Sequence, residues 1–425
     1  MSDDMDLFDA TSFENGPPHA FFAMLRARPG LHWIPGRPGR EMMPIPAPGE
    51  SAADMRPVPI EPYQRGFWVV TRYADVEAVS RDHELYSAER GSVVNSDMEP
   101  AQLEMFRQQL ISMDPPKHTR VRKLVNRGFT PGTMAKLEPR VRAHAHSIVD
   151  KIARTGECDF VQSVAAELPL LVIAELLGVP VADRWKLFEW SNALVGAEDP
   201  EYGTPEGAQR ATMEMFQYAG SLAEKRRLEP QDDIVSTLIH ADIEGERLTE
   251  SEFNMLFFLL VFAGNETTRN AISGGMQALC EFPDQRQRLL AEPGLFASAA
   301  DEIVRWVSPV MQFRRTATRD TELSGQAIRE NDKVVIYYGS ANRDERVFPR
   351  ASHFDVARQP NPHLGFGFGV HYCLGAALAR MEIRVMFEEL LPRLPDVELA
   401  GRVRQLRSNF INGIKSMPVR FTPEG

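Results

Sequence analysis

The chain has 425 residues, 43% of them hydrophobic, which is ample for a large core, and its net charge of −11 excludes the basic face that a nucleic-acid binder needs. Three cysteines, odd in number and widely separated, exclude a disulfide framework and fit a reducing compartment. Length alone would suggest two or three domains, but no linker or repeat interrupts the middle, so one domain over 1–425 is expected.

The acidic start Met1-Ser2-Asp3-Asp4-Met5-Asp6 has no basic or apolar region, so neither a signal peptide nor a membrane anchor is expected, and the localisation expected is cytoplasmic. A short helical pattern follows over 13–30, and Leu31–Ile34 and Phe67–Thr71 read as strands. Between them, over 35–65, lie eight prolines from Pro35 to Pro62, which predict an irregular or extended loop. Its Met42, Met43 and Ile45 are candidates to cover a binding-site entrance. A helix is expected from Asp75, then a loop-rich stretch over 88–112 with a helical insert. Pro115-Pro116 suits a helix start, placing His118 and Arg122 four residues apart on one face, where two cationic donors could grip a pair of carboxylates. Residues 134–228 read as mostly helical, broken near Gly156 and at Pro180, with a mobile connection over 193–207.

Thr249-Glu250-Ser251-Glu252 is a capping box, and Phe253 with the run Met255–Phe262 behind it reads as a helix apolar on all sides. That run is about half of the ~20 residues a membrane span requires, so a central buried helix is expected. Within it lies Ala263-Gly264-Asn265-Glu266-Thr267-Thr268. Gly264 weakens the helix locally and suggests a kink, Thr267 can bond back to a carbonyl, and a buried Glu266 is costly unless it has a purpose. Asp301–Arg305 reads as helix, so Glu302 and Arg305 form an i, i+3 pair. Met311–Ala317 should be a strand, with Phe313 and Arg315 on one face and Arg314 on the other.

The most specific stretch is Phe366-Gly367-Phe368-Gly369-Val370-His371-Tyr372-Cys373-Leu374-Gly375. Two glycines allow a tight bend, and Cys373 should stand at the start of a helix that Pro392 ends, where the dipole favours a thiolate. Cys158 and Cys280 lack such a frame and read as small apolar residues.

The pattern F-G-x-G-x-H-x-C-x-G resembles the haem-thiolate signature of the cytochrome P450 family at every fixed position, and the hexad Ala263–Thr268 resembles the family's oxygen-activating motif. The resemblance covers nearly the whole chain from Tyr73. It implies a mainly α fold with small β-sheets (α+β), a single large triangular helical domain with a β-rich lobe. It implies haem b, with Cys373 as iron ligand and Phe366, Gly375, Ala263 and Gly264 against the ring. Its propionates would be held by His118, Arg122, Arg315 (from the R-x-A-x-x-D register, with Arg314 as a substitute) and His371. Thr267 and Glu266 would be the catalytic pair, hydrogen-bonding the oxygen and relaying protons. Val261, Ala263, Thr268, Val310, Phe313, Phe410 and Ile411 would face the substrate. Glu302, Arg305 and, as third partner, Arg343 would form a structural salt-bridge motif, and 193–207 would belong to a lid.

The function this implies is a monooxygenase (oxidoreductase) that hydroxylates an unactivated C–H bond of a hydrophobic substrate with O2. Stretches such as Pro360–Gly367 and Asn412–Lys415 look closest to bacterial members acting on steroids, terpenes or methyl-branched lipids, with terminal hydroxylation favoured. Electrons would come from a ferredoxin and its reductase, for which Lys123, Arg127 and Arg380 are basic contacts. A monomer is expected. The rival readings are a peroxide-driven peroxygenase of the same fold, a non-catalytic haem sensor, and a purely structural Cys373.

Overall fold

The structure is a computed structural model that describes residues 5–39, 41–42, 58–59, 63–195, 199, 201, 203–242 and 245–425. The chain begins with α1 (His19–Ala27), β1 (His32–Ile34), β2 (Glu41–Met42), β3 (Val58–Pro59), β4 (Phe67–Val70), α2 (Tyr73–Arg81), β5 (Tyr86–Ser87), α3 (Pro100–Phe106) and α4 (Lys117–Val125). A mostly helical stretch follows: α5 (Pro131–Ile152), the short β6 (Glu157–Asp159), α6 (Glu167–Leu176), α7 (Arg184–Val195), α8 (Pro205–Leu228), α9 (Ile234–Ile239), α10 (Glu250–Glu281), α11 (Pro283–Ala291) and α12 (Phe296–Val307). Then come β7 (Gln312–Ala317), β8 (Thr321–Leu323), β9 (Gln326–Ile328), β10 (Lys333–Tyr337) and the single turn α13 (Tyr338–Ala341). After a long loop, α14 (Ala376–Leu390) leads into β11 (Glu398–Leu399), β12 (Arg404–Gln405), β13 (Ile414–Ser416) and β14 (Pro418–Arg420).

The largest sheet has the order β1-β4-β10-β7-β5, with β4 and β10 parallel and the other pairs antiparallel. Helices dominate and the sheets are small, as expected. The largest apolar cluster joins α5, α6, α10, α12 and α14, while smaller clusters lie around the five-stranded sheet. Among the described residues, no helix is long and apolar enough to cross a membrane.

Helix α10 is the axis of this core. Thr249 Oγ1 accepts from the Glu252 amide, and the Glu252 carboxylate accepts from the Thr249 amide, so the capping box read from the sequence is formed. Around Gly264 the chain stays helical, and α10 runs without a break from Glu250 to Glu281. What Gly264 accommodates is α6, because a Cβ there would stand 3.1 Å from Ile173 Cδ1.

In the proline-rich insertion, the described residues include a two-residue ladder in which Glu41 pairs with Pro59 and Met42 with Val58. An irregular or partly extended loop without a regular ladder was expected there; Pro59 lacks an N–H to donate, and the ladder is correspondingly short. Met43 and Ile45 lie outside the described residues, as do parts of 193–207.

Candidate active site

A cavity of about 230 Å3 lies between α10 and the loop that precedes α14. Cys373, Phe366, Gly375, Leu378 and Ala379 line it from the loop and α14, and Ala263, Gly264, Thr267 and Thr268 line it from α10. His118, Arg122 and His371 share one part of the wall, and Val310 and Phe313 bring in the strand region.

The loop takes its shape from its sequence. The Cys373 amide donates to the Phe366 carbonyl at 2.8 Å, and Gly367 and Gly369 adopt φ of +71° and +70°. At Gly369 a Cβ would meet the Ser80 carbonyl oxygen at 2.5 Å, so only glycine fits there. The helix begins at Ala376, three residues after Cys373. Burial pushes the Cys373 thiol up, and this outweighs the Gly375 amide and the charges of Arg122 and Arg380, which act the other way. The expectation of a thiolate favoured by the helix start is therefore corrected. It is a bound metal cation that would deprotonate this sulfur. Cys158 and Cys280 pack against the core, and burial raises each to about 11.

At one end of the cavity the polar groups lack acceptors. His118 Nε2 and His371 Nε2 are buried without a hydrogen-bond partner, their rings 4.6 Å apart. Burial lowers His118 to about 4 and His371 well below its usual value, so both rings are neutral N–H donors rather than the cations expected of His118. Arg122 Nη2 donates to the Tyr372 carbonyl at 2.8 Å, which ties α4 to the cysteine loop.

Arg315 is not in the cavity wall. It is buried on the same strand face as Phe313, and its charge helps to lower both histidines. Its one acceptor among the described residues is the Arg314 carbonyl, at 2.9 Å. Arg314, on the opposite face, is committed to Asp97, which it shares with Lys333. Burial opposes the Asp97 charge, yet the two cations hold that carboxyl down at about 2. Arg314 is thus no substitute for Arg315. Two unpartnered ring nitrogens beside an under-used guanidinium suit a ligand bearing carboxylates. The open space around Gly375, where a Cβ would meet nothing within 4 Å, suits a flat one. These features fit haem.

Thr267 faces the cavity and donates to the Ala263 carbonyl at 2.8 Å, the back-bond expected. Glu266 does not face it. One residue turns a helix by ~100°, and Glu266 is fully buried, with Oε1 accepting from Arg269 Nη2 at 2.7 Å and Asn270 Nδ2 at 2.8 Å. Its Oε2 has no partner, and Arg269 continues to Asn192 of α7 at 3.1 Å.

Three residues expected in the substrate pocket are displaced. Val261 is two positions out of phase with Ala263 and packs in the core. Phe410 packs against Phe313 with tilted rings 5.7 Å apart, and Ile411 is bridged to Val310 and buried. The wall instead includes Leu110, Ile111, Leu259 and Leu260, for which the sequence offered only apolar character. Glu382 was also missed. It faces the cavity from α14, and burial raises its carboxyl well above the usual range.

Arg343 is corrected as well. Glu302 and Arg305 pair through two bonds, at 2.7 and 2.8 Å, but the further cation on Glu302 is Arg358, at 3.0 Å. Arg343 lies over the Trp306 ring at 4.5 Å.

Comparison with known proteins agrees with this geometry. A family profile, Cytochrome P450, matches residues 295–404. A steroid C26-monooxygenase of Mycolicibacterium smegmatis is 41% identical over 426 residues, covering 99% of this chain and 95% of that protein. A methyl-branched lipid omega-hydroxylase of Mycobacterium bovis is 43% identical, covering 84% of each chain. A Mycobacterium marinum cytochrome P450 solved with pseudoionone superposes with a TM-score of 0.84 at 40% identity, covering 95% of this chain and 94% of that one. A cysteine held in a glycine-shaped loop across a cavity from a threonine-bearing helix thus has a lineage, and the chain belongs to the cytochrome P450 family, the haem-dependent monooxygenases.

Proposed function

We propose that the chain hydroxylates a terminal C–H bond of a methyl-branched or steroid-like hydrophobic substrate, inserting one atom of O2. The observation that carries this is the cavity itself: beyond the end formed by His118, Arg122 and His371, its wall is largely aliphatic and aromatic. Relatives named for steroid and branched-lipid hydroxylation support the same substrate class.

Haem, when bound, supplies the oxygen chemistry, and a thiolate ligand favours O–O cleavage. The residues suited to hold it are Cys373 at the iron, Phe366, Gly375, Ala263 and Gly264 along the ring, and His118, Arg122, His371 and Arg315 at the propionates. Thr267 presents a hydroxyl to the cavity and can turn from the Ala263 carbonyl to a cavity water. Glu266, adjacent in sequence, keeps one oxygen unpartnered in a buried setting and can hold a proton and pass it toward Thr267 through water. The apolar wall excludes other water. Electrons are proposed to come from a ferredoxin docking near Lys123 and Arg127, which are exposed, and Arg380.

The test is the absorption spectrum of the reduced, carbon monoxide-bound holoprotein, followed by turnover with methyl-branched fatty acids, terpenes and sterols. A spectrum without thiolate-ligated haem would end the proposal for Cys373. Oxidation at internal ring carbons alone would end the terminal assignment.

A further inference from the structure

Away from the cavity, α1 meets α13 in a region unusually rich in buried cations. His19 and Arg26 are seven residues apart, two turns, so they share one face of α1. That face meets α13: Arg26 Nη1 donates to Ser340 Oγ at 2.9 Å, and His19 Cε1 lies 4.0 Å from where a Cβ on Gly339 would stand. Arg343 stands two residues beyond the end of α13, its amide donating to the Ser340 carbonyl at 3.0 Å.

The charges there do not balance. Arg26, Arg305, Arg343 and Arg358 are all at most 9% exposed, and the buried carboxylates among them are Glu302 and Asp344. Glu302 already accepts from Arg305, Arg358, Asn361 and the Asp355 amide. Asp344 accepts from the Tyr73 and Arg346 amides. Glu345, which reaches Arg26 at 3.5 Å, has a side chain 66% exposed. Arg343 has no hydrogen-bond acceptor for its guanidinium among the described residues; it has only the face of Trp306. Arg343 Nη1, Arg26 Nε and His19 Nδ1 are all buried without partners. Burial, then Arg305, depress the Arg343 guanidinium to about 9 against the opposing charge of Glu302, and burial, Arg343 and Arg26 keep His19 neutral, which leaves its ring proton free to sit on Nδ1. Unpaired charge of this kind is costly unless something negative joins it.

We propose that His19, Arg26 and Arg343 form a binding site for a small inorganic anion of halide size, chloride foremost, which fastens α1 to α13. The tight helix contact favours a monatomic ligand over an oxyanion. None of the three residues lines the haem cavity, so the site is independent of catalysis.

The test is thermal unfolding of the holoenzyme in sodium chloride against sodium gluconate at equal ionic strength. At chloride ten times its Kd the midpoint should rise by about 1–2 °C for a chain of this length. Arg343→Gln should abolish the difference. If that variant does not fold, His19→Phe should raise the chloride concentration needed several-fold. Crystals soaked in bromide should show an anomalous peak between the three side chains. Equal midpoints in the two salts, or no bromide peak, would overturn the proposal.

Discussion

Helices α10 and α12 each bury a glutamate–arginine pair at the same i, i+3 spacing, and the two pairs are finished differently. In α12 both oxygens of Glu302 are taken by Arg305, Arg358, Asn361 and the Asp355 amide. Arg305 spends its other donors on the carbonyls of Asn342, Ala351 and His353. In α10, Glu266 Oε2, Arg269 Nε, Asn265 Oδ1 and Asn270 Oδ1 have no partner. A saturated buried pair is a rivet. An unsaturated one fits the proton relay proposed for Glu266, and its cost is borne by a helix capped and packed along its length.

The comparison breaks most directly at Glu302. Glu302→Gln should strand Arg305 and Arg358 and cost about 3–5 kcal/mol, read from denaturant unfolding, and haem-loaded protein should be largely lost. Glu266→Gln should fold with normal haem content but lower product formation by about 10²-fold, with an altered solvent isotope effect. If the two glutamines destabilise equally, the distinction between the pairs fails. Asn192→Ala removes only the outer end of the α10 network. It should cost about 1 kcal/mol, with turnover changed less than Glu266→Gln changes it.

A smaller effect concerns the cavity end. His118 is held neutral by burial, at about 4 against 6.5 when unfolded, so the unfolded chain binds more protons in that window. Stability of the haem-free protein should therefore fall as pH drops from 6.5 toward 4. The fall should be blunted in the holoprotein, where a carboxylate would favour the charged ring. Parallel pH titrations of apo and holo unfolding check this.

The cysteine loop was legible because a ligand at the end of a tight turn demands glycines at fixed positions. The capping box and the back-bonded Thr267 were legible because both are local. Arg358 was not, since it reaches Glu302 from 56 residues away and no spacing rule joins them. Glu266 and Arg269 carry the same E-x-x-R spacing as Glu302 and Arg305, but the motif drew attention to Thr267 and hid the pair. Val261 could have been removed by helical phase alone. Phe410 and Ile411 could not, because only the packing of Phe313 shows which aromatic comes first.

The bond from Arg122 to the Tyr372 carbonyl spans 250 residues, and the parallel pairing of β4 with β10 joins Phe67 to Lys333. Contacts so distant in sequence form late, after nearer ones have met their loop-closure cost. The cavity end should thus be among the last parts to mature, and haem would be captured by a chain whose helical core already stands. Pulsed hydrogen exchange during refolding should protect amides of α10 and α12 before those of Gly367–Cys373; simultaneous protection would refute this order.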